Sequence, residues 1–187
     1  MEDFKNLEEI KINSEEIYDG YIVHLYKDTV QLPNGKEVYR ENIRHIGAVG
    51  VVPLTDDGKV IMERQFRYPI NSVITEIPAG KLDSKSEDKL LAAKRELEEE
   101  TGFVADEWIE IGEYIPAAAY CDEVIQLYLA KGLHQGTRHL DEDEFLNIIE
   151  VDLEDLVKDI MAGKITDGKT QVALLKAYYL LGFDKMQ

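Results

Sequence analysis

The sequence predicts an α+β protein in which helices cover a mixed sheet as an α/β/α sandwich, preceded by an N-terminal antiparallel strand region. Three observations predict this fold class. Strand patterns fill the first half of the chain, one strong helix signal interrupts them, and two further helix patterns close the chain. Repeated β-α-β units would instead alternate strands and helices throughout.

Two turn signals divide the first half of the chain into strand pairs. Pro33-Asn34-Gly35 and Asp56-Asp57-Gly58 place residues that favour tight turns between apolar runs. Apolar alternation and β-branched residues predict strands on both sides of these turns and again later in the chain. The predicted strands are residues 21–31, 37–46, 48–54, 59–65, 73–77, 108–114, 123–129 and 147–151.

The clearest helix signal covers residues 84–101. Ser84 and Glu87 have the spacing of a capping box, which predicts that the helix begins at Ser84, and Gly102 stands where a helix should end. Residues 153–161 and 169–181 carry apolar side chains at helical spacing. One helix therefore lies within the sheet region and two follow it.

Length and composition predict one compact domain with an extra strand region. The chain has 187 residues, of which 44% are hydrophobic, enough to bury a full core. No repeat, low-complexity tract or linker rich in proline, glycine or serine interrupts it. We predict a strand region over residues 1–46 and a larger domain over residues 47–187.

The charge balance argues against a nucleic-acid partner. Acidic residues outnumber basic ones by 38 to 21, giving a net charge of −17, whereas proteins that bind nucleic acid need a cationic surface. A phosphate substrate stays open, because carboxylates can hold divalent cations that carry the opposing charge. With a single cysteine, no signal-peptide pattern in residues 1–13 and no long apolar run, we expect a cytoplasmic protein with no membrane partner.

A row of carboxylates on the first helix indicates metal chemistry. Glu96, Glu99 and Glu100 lie at positions i, i+3 and i+4 of the predicted helix, so they share one face. Bare carboxylates at this spacing repel one another, and Mg²⁺ relieves the repulsion by accepting their oxygens beside waters and phosphate oxygens. The alternative is a solvated acidic helix face with no ligand.

The segment from Gly80 to Phe103 resembles the Nudix box, Gly-x5-Glu-x7-Arg-Glu-U-x-Glu-Glu-x-Gly-U with U a bulky apolar residue. The matching positions are Gly80, Glu87, Arg95, Glu96, Leu97, Glu99, Glu100, Gly102 and Phe103. One departure is visible, since six residues separate Gly80 from Glu87 instead of five. The extra residue precedes the helix body, so the helical carboxylates should keep their register.

Segments outside the box resemble the ADP-ribose pyrophosphatase branch of the Nudix hydrolases. They are residues 65–69, 76–80, 120–123, 141–144 and 165–174. The resemblance implies the Nudix fold, a homodimer that pairs through residues 1–46, and hydrolysis of a nucleoside diphosphate sugar. ADP-ribose would give AMP and ribose 5-phosphate. The alternatives are a hydrolase of another nucleoside diphosphate sugar such as GDP-mannose, or a non-catalytic Nudix-fold sensor of such ligands.

The resemblance also implies a metal site. Glu96, Glu99, Glu100 and the backbone carbonyl of Ala79 would bind Mg²⁺, for which Mn²⁺ is a substitute, and Glu144 could add a contact. Arg95 is expected to pair with Glu99 and hold that carboxylate in place.

The base and the substrate ligands are less sharply indicated. The resemblance implies Glu142 as the base that activates water, because the matching acidic loop supplies the base in the family. Glu99 or Glu100 is the alternative base, and the loop could instead be a solvated acidic segment. Arg67 is a candidate to bind phosphate oxygens, and Arg64 could exchange roles with it; the alternative for either residue is a plain surface charge. Glu76 is expected either to hydrogen-bond the ribose or the nucleobase, or to be a solvated strand end.

One loop departs from the branch. Relatives usually carry proline, glycine and an aromatic residue before the Asp122-Glu123 pair, where this chain has Ala118-Ala119-Tyr120. Two alanines lack the fixed φ of proline and the permissive φ of glycine, so the loop should take another path. This loop borders the substrate in the branch, so the resemblance implies weaker discrimination between nucleoside diphosphate sugars than the branch norm.

Overall fold

A computed structural model describes residue 4, residues 6–140 and residues 145–182 of the chain. These residues form two compact units. One unit holds residues up to His45 together with Ile115–Glu123, and the other holds Ile46–Tyr114 and the residues from Val124 onward. The division into independent domains at residues 46 and 47 stays a prediction.

The smaller unit contains an antiparallel sheet of three strands, in the order β1-β2-β3. Its strands are β1 (Ile10–Asp19), β2 (His24–Gln31) and β3 (Glu37–Ile43). The predicted hairpin at Pro33-Asn34-Gly35 is confirmed, because Leu32 N–H donates to the Lys36 carbonyl at 2.9 Å and Gly35 has a φ of 83°. Strand β1 was not predicted, since its few apolar residues stand among charged ones and all ten of its residues are exposed.

Among its described residues the larger unit holds seven strands, three α-helices and a 3-10 helix at Tyr68–Ile70. The strands and α-helices are β4 (Ala48–Pro53), β5 (Lys59–Arg67), β6 (Ser72–Glu76), β7 (Ala79–Lys81), α1 (Lys89–Thr101), β8 (Phe103–Tyr114), β9 (Ile125–Gln135), β10 (Leu146–Asp152), α2 (Leu153–Met161) and α3 (Gly168–Leu180). In the described part of the chain, no helix is both long and apolar enough to cross a membrane.

The strands of the larger unit form two sheets. The first has the order β7-β4-β9-β8 and is mixed, because β4 and β9 run parallel while the other neighbours are antiparallel. The second is antiparallel with the order β10-β5-β6.

Alternating side chains of β4 build a core on each face of the mixed sheet. Val52 packs with residues of α2 and α3, whereas Val49 and Val51 pack with Ala93 and Leu97 of α1. Successive residues of a strand point to opposite faces, so one apolar strand serves both layers. The predicted mixed-sheet sandwich, with helices on both faces, is confirmed.

The predicted start of the first helix is wrong. The helix begins at Lys89 and not at Ser84, and its cap is Asp88, whose carboxylate accepts from Leu90 N–H at 2.9 Å and Leu91 N–H at 3.0 Å. A short acidic side chain at this position satisfies two N–H groups that have no partner within the helix. The extra residue between Gly80 and Glu87 thus precedes the helix, as expected.

Candidate active site

Gly80 of β7 lies directly against the carboxylate of Glu96. A Cβ atom built on Gly80 would stand 2.1 Å from the Cδ and Oε2 atoms of Glu96, far inside van der Waals contact. Only glycine therefore lets the helix carboxylate approach the backbone of this strand. The first glycine of the motif and its first helical glutamate are thus parts of one contact.

Glu100 reaches the same strand one helical turn later. Its Oε2 accepts from Ala79 N–H at 2.9 Å. Glu96 and Glu100 are buried, with 8% and 6% of their surface exposed, and Glu99 is partly exposed. The acidic face of α1 therefore packs on β7, which excludes the alternative of a merely solvated acidic face.

Arg95 links the carboxylates to one another. Its Nη1 donates to Glu96 at 2.7 Å and to Glu99 at 3.1 Å, and its Nη2 donates to Glu87 at 3.3 Å. Burial acts to lower the pKa of this guanidinium, but the charge and hydrogen bonds of Glu96 and Glu99 outweigh burial and raise the pKa above its ordinary value. A permanent cation thus reduces the repulsion among the carboxylates, and the expected contact with Glu99 is present.

Glu87 does not complete a capping box. Its Oε2 accepts a hydrogen bond from Asp83 N–H at 2.6 Å, while its Oε1 accepts one from the Arg95 guanidinium. The side chain therefore joins the loop before α1 to the arginine of the helix. This contact fixes the loop that follows β7.

A second charged cluster surrounds Glu76 at the end of β6. Arg67 holds this carboxylate in bidentate fashion, with Nε at 2.6 Å from Oε1 and Nη2 at 3.0 Å from Oε2. Lys169 of α3 also donates to Glu76, and it contacts Asp167 at 3.1 Å. Glu76 has only 1% of its surface exposed, so the expectation of a solvated strand end is wrong.

Arg67 keeps its charge in this cluster. Burial acts to lower its pKa, but the hydrogen bonds and charge of Glu76, with the charges of Glu63 and Asp167, outweigh burial and raise the pKa above its ordinary value. About 40% of the Arg67 side chain remains exposed. A guanidinium held along one edge by Glu76 can still present another edge to an anion.

The register of β5 separates Arg64 from the cluster that holds Arg67. Strand β5 pairs with β6 in unbroken register from Glu63 to Arg67. Residues an odd number of positions apart on a regular strand point to opposite faces, so Arg64 points away from the Glu76 cluster. Its expected substrate contact stays a prediction.

The two charged clusters are close along the chain. Glu76 and Ala79 are three residues apart, so their Cα atoms lie within about 11 Å. Glu142 and Glu144 fall outside the described residues. Within the residues that the structure describes, no three acidic, histidine or cysteine side chains already stand at the spacing of a metal site.

Sequence reasoning missed two cations of the larger unit. Lys169 contacts Glu76 from 93 residues away, and Arg138 donates from Nε to the backbone carbonyl of Glu100 at 2.7 Å. No local pattern indicates contacts of such sequence separation. A weak signal existed for Lys169, which follows Asp167-Gly168 at the start of the last predicted helix.

The mixed-sheet sandwich and the α1 carboxylates that pack on Gly80 and Ala79 fit the family that the sequence motif resembles. The family model of the NUDIX domain matches residues 44–172, well over half of the chain. The chain therefore belongs to the Nudix family.

Within the family, the chain is similar to several individual proteins. The chain is 44% identical to the ADP-ribose pyrophosphatase of Bacillus subtilis (strain 168) over 172 residues, which cover 91% of this chain and 92% of that protein. It is 42% identical to the methanol dehydrogenase activator of Bacillus methanolicus with the same coverage. The crystal structure of an ADP compounds hydrolase superimposes with a TM-score of 0.84 at 22% identity, covering 95% of this chain and 97% of that one, and supports the fold.

Proposed function

We propose that the chain hydrolyses the pyrophosphate bond of a nucleoside diphosphate sugar, with ADP-ribose as its main substrate. The observation that carries the proposal is the contact of Glu96 and Glu100 with Gly80 and Ala79. Arg95 offsets only part of the negative charge of Glu96, Glu99 and Glu100, and a divalent cation would offset the remainder, which is costly to bury. Membership of the Nudix family and the pyrophosphatase relative support the same reaction.

The donor set suits a hard divalent cation, and we propose Mg²⁺ with Mn²⁺ as a substitute. Glu96, Glu99, Glu100 and the Ala79 carbonyl offer only oxygen atoms, the ligands that Mg²⁺ prefers. A carboxylate that accepts one N–H retains lone pairs for a cation. When bound, such a cation supplies positive charge against the diphosphate and makes water a better nucleophile.

Arg67 and Lys169, which surround Glu76, are proposed to bind the phosphate groups of the substrate. Glu76 orients Arg67 through two hydrogen bonds, so the guanidinium meets phosphate oxygens in a fixed position. Lys169 adds positive charge beside the same carboxylate. In this arrangement Glu76 acts mainly by orienting Arg67, and a hydrogen bond from ribose or nucleobase to Glu76 is a secondary proposal.

Glu142 is proposed as the base that takes the proton from the attacking water, with Glu99 or Glu100 as the alternative. Its segment, residues 141–144, follows Arg138 in the sequence, and Arg138 is bonded to the end of α1. Glu144 is proposed to add a contact to the cation.

Replacing Gly80 by alanine is expected to lower kcat by about a hundredfold, the cost of moving a catalytic group by roughly 1 Å. The new Cβ would lie 2.1 Å from the Glu96 carboxyl group, so the side chain must leave its position. Steady-state kinetics with ADP-ribose measure the loss. Gly163→Ala is the matched control, because Gly163 has a φ of 72° and open space around it, so this variant should lose thermal stability and keep kcat. Equal kcat for Gly80→Ala and the wild type would contradict the geometry.

A panel of nucleoside diphosphate sugars tests the proposed substrate. We expect ADP-ribose to give the highest kcat/KM, with less than a roughly thousandfold preference over ADP-glucose and GDP-mannose, equivalent to about 4 kcal/mol. The expectation rests on the resemblance, because the turn before Asp122 borders the substrate in the ADP-ribose pyrophosphatase branch and Ala118-Ala119 replaces proline and glycine there. A larger preference would show that this turn leaves specificity intact. A better rate with GDP-mannose would select the other hydrolase, and binding without turnover the sensor.

A cytoplasmic homodimer built on the N-terminal strands is part of the proposal. Ile10, Ile12 and Ile17 of β1 are each more than half exposed, so pairing with a second chain would remove their apolar surface from water. Light scattering should give about twice the chain mass of 21.4 kDa. Ile12→Glu should lower that mass. Met161→Glu places the same charge on an exposed apolar position of α2 and should leave the mass unchanged. A wild-type monomer would contradict the dimer.

A further inference from the structure

The last turn of α1 is held by the chain segment that follows β9. Four carbonyls at a helix end have no partner within the helix. Here His139 N–H donates to the Glu99 carbonyl at 3.1 Å and Arg138 Nε donates to the Glu100 carbonyl at 2.7 Å. A cation at this end also suits the helix dipole.

The Arg138 guanidinium has a second acceptor on another element. Its Nη2 donates to the carbonyl of Leu146, the first residue of β10, at 3.2 Å. Leu146 pairs with Gln65 of β5, the strand that carries Arg67. The Arg138 side chain thus joins the end of α1 to the β10-β5-β6 sheet, which carries Arg67 and Glu76.

Glu100 is therefore fixed at two points. Its carboxylate accepts from Ala79 N–H, and its backbone carbonyl accepts from Arg138. We propose that Arg138 is a positioning residue for the Glu100 carboxylate and tunes the affinity of the site for a divalent cation. This inference rests on the proposed function, because it assumes that Glu100 is a metal ligand.

Charge and position predict opposite effects at this residue. Removing a cation near the site makes the surroundings more negative, which alone would tighten the binding of a divalent cation. Removing the two hydrogen bonds lets the last turn of α1 shift, which weakens binding. Loss of a partner that orients a ligand typically costs about tenfold to a hundredfold in metal affinity.

The test is a titration of the full-length protein with Mn²⁺, in which electron paramagnetic resonance reports the free ion. Arg138→Gln should bind Mn²⁺ about tenfold more weakly than the wild type. Arg138→Lys keeps the charge but cannot match two acceptors with one planar fork, so it should fall between them. Lys131→Gln is the control, since it removes a cation from β9 that pairs with Glu107 and has no bond to α1.

The possible results separate this inference from the proposed function. Binding by Arg138→Gln that equals or exceeds that of the wild type overturns the positioning role and leaves the metal site standing. Absence of Mn²⁺ binding by the wild type overturns the metal site itself, and the inference with it. If circular dichroism shows that Arg138→Gln does not fold, Arg138→Lys decides, and unchanged affinity in that variant overturns the proposal.

Discussion

Replacing Glu100 by glutamine lowers kcat by about a thousandfold, or roughly 4 kcal/mol, while the chain stays folded. Glutamine keeps the shape of the side chain, and its carbonyl oxygen can still accept from Ala79 N–H, as Oε2 does now at 2.9 Å. Only the negative charge is removed. Steady-state rates with ADP-ribose over a range of Mg²⁺ concentrations measure the effect, and a thermal melt confirms folding.

Glu98→Gln is the matched control for Glu100→Gln. Glu98 is on the same helix but outside the carboxylate face, and its Oε1 accepts from Thr137 N–H at 3.2 Å, a bond that glutamine can keep. This variant should retain the wild-type rate. Near-normal turnover by Glu100→Gln at saturating Mg²⁺ would remove Glu100 from the metal site.

Glu142→Gln is expected to lower kcat by about a hundredfold to ten-thousandfold, the usual contribution of a general base. Glutamine cannot accept the proton from the attacking water, whereas the affinity for Mn²⁺ should stay within about twofold of the wild type if the residue binds no metal. Single-turnover kinetics measure the chemical step, and a Mn²⁺ titration measures binding.

Glu144→Gln is the control for the base, because it makes the same change two residues away. If Glu144 only adds a contact to the cation, its loss should act mainly on metal affinity. A severe loss of kcat in Glu144→Gln with a silent Glu142→Gln would exchange the two roles. A loss confined to KM in Glu142→Gln would place that residue in substrate binding.

The sequence predicted those elements whose pattern is set by burial. Strand β4 and helix α2 were predicted to within one residue, since each buries apolar side chains against a core. Strand β1 was missed because burial imposes no pattern on its exposed residues. Strand β7, with three residues, is too short to show a period.

The same holds for the site: features set by local spacing could be predicted from the sequence, and features that depend on distant residues could not. The shared face of Glu96, Glu99 and Glu100 follows from helical spacing, and the structure places all three on α1. The burial of Glu76 was not predictable, because it depends on Lys169, which is 93 residues away. The sequence does not determine the helix start, because Ser84 and Asp88 both suit a cap and only the path of the loop after β7 decides between them.

The central claim is that this chain splits ADP-ribose with the help of a divalent cation held by the α1 carboxylates. The most direct measurement incubates the wild-type protein with ADP-ribose and Mg²⁺ and resolves the products by chromatography, beside a sample containing a chelator. The account predicts equal amounts of AMP and ribose 5-phosphate with Mg²⁺, and intact ADP-ribose with the chelator. Intact ADP-ribose in both samples, or equal turnover in both, would contradict it.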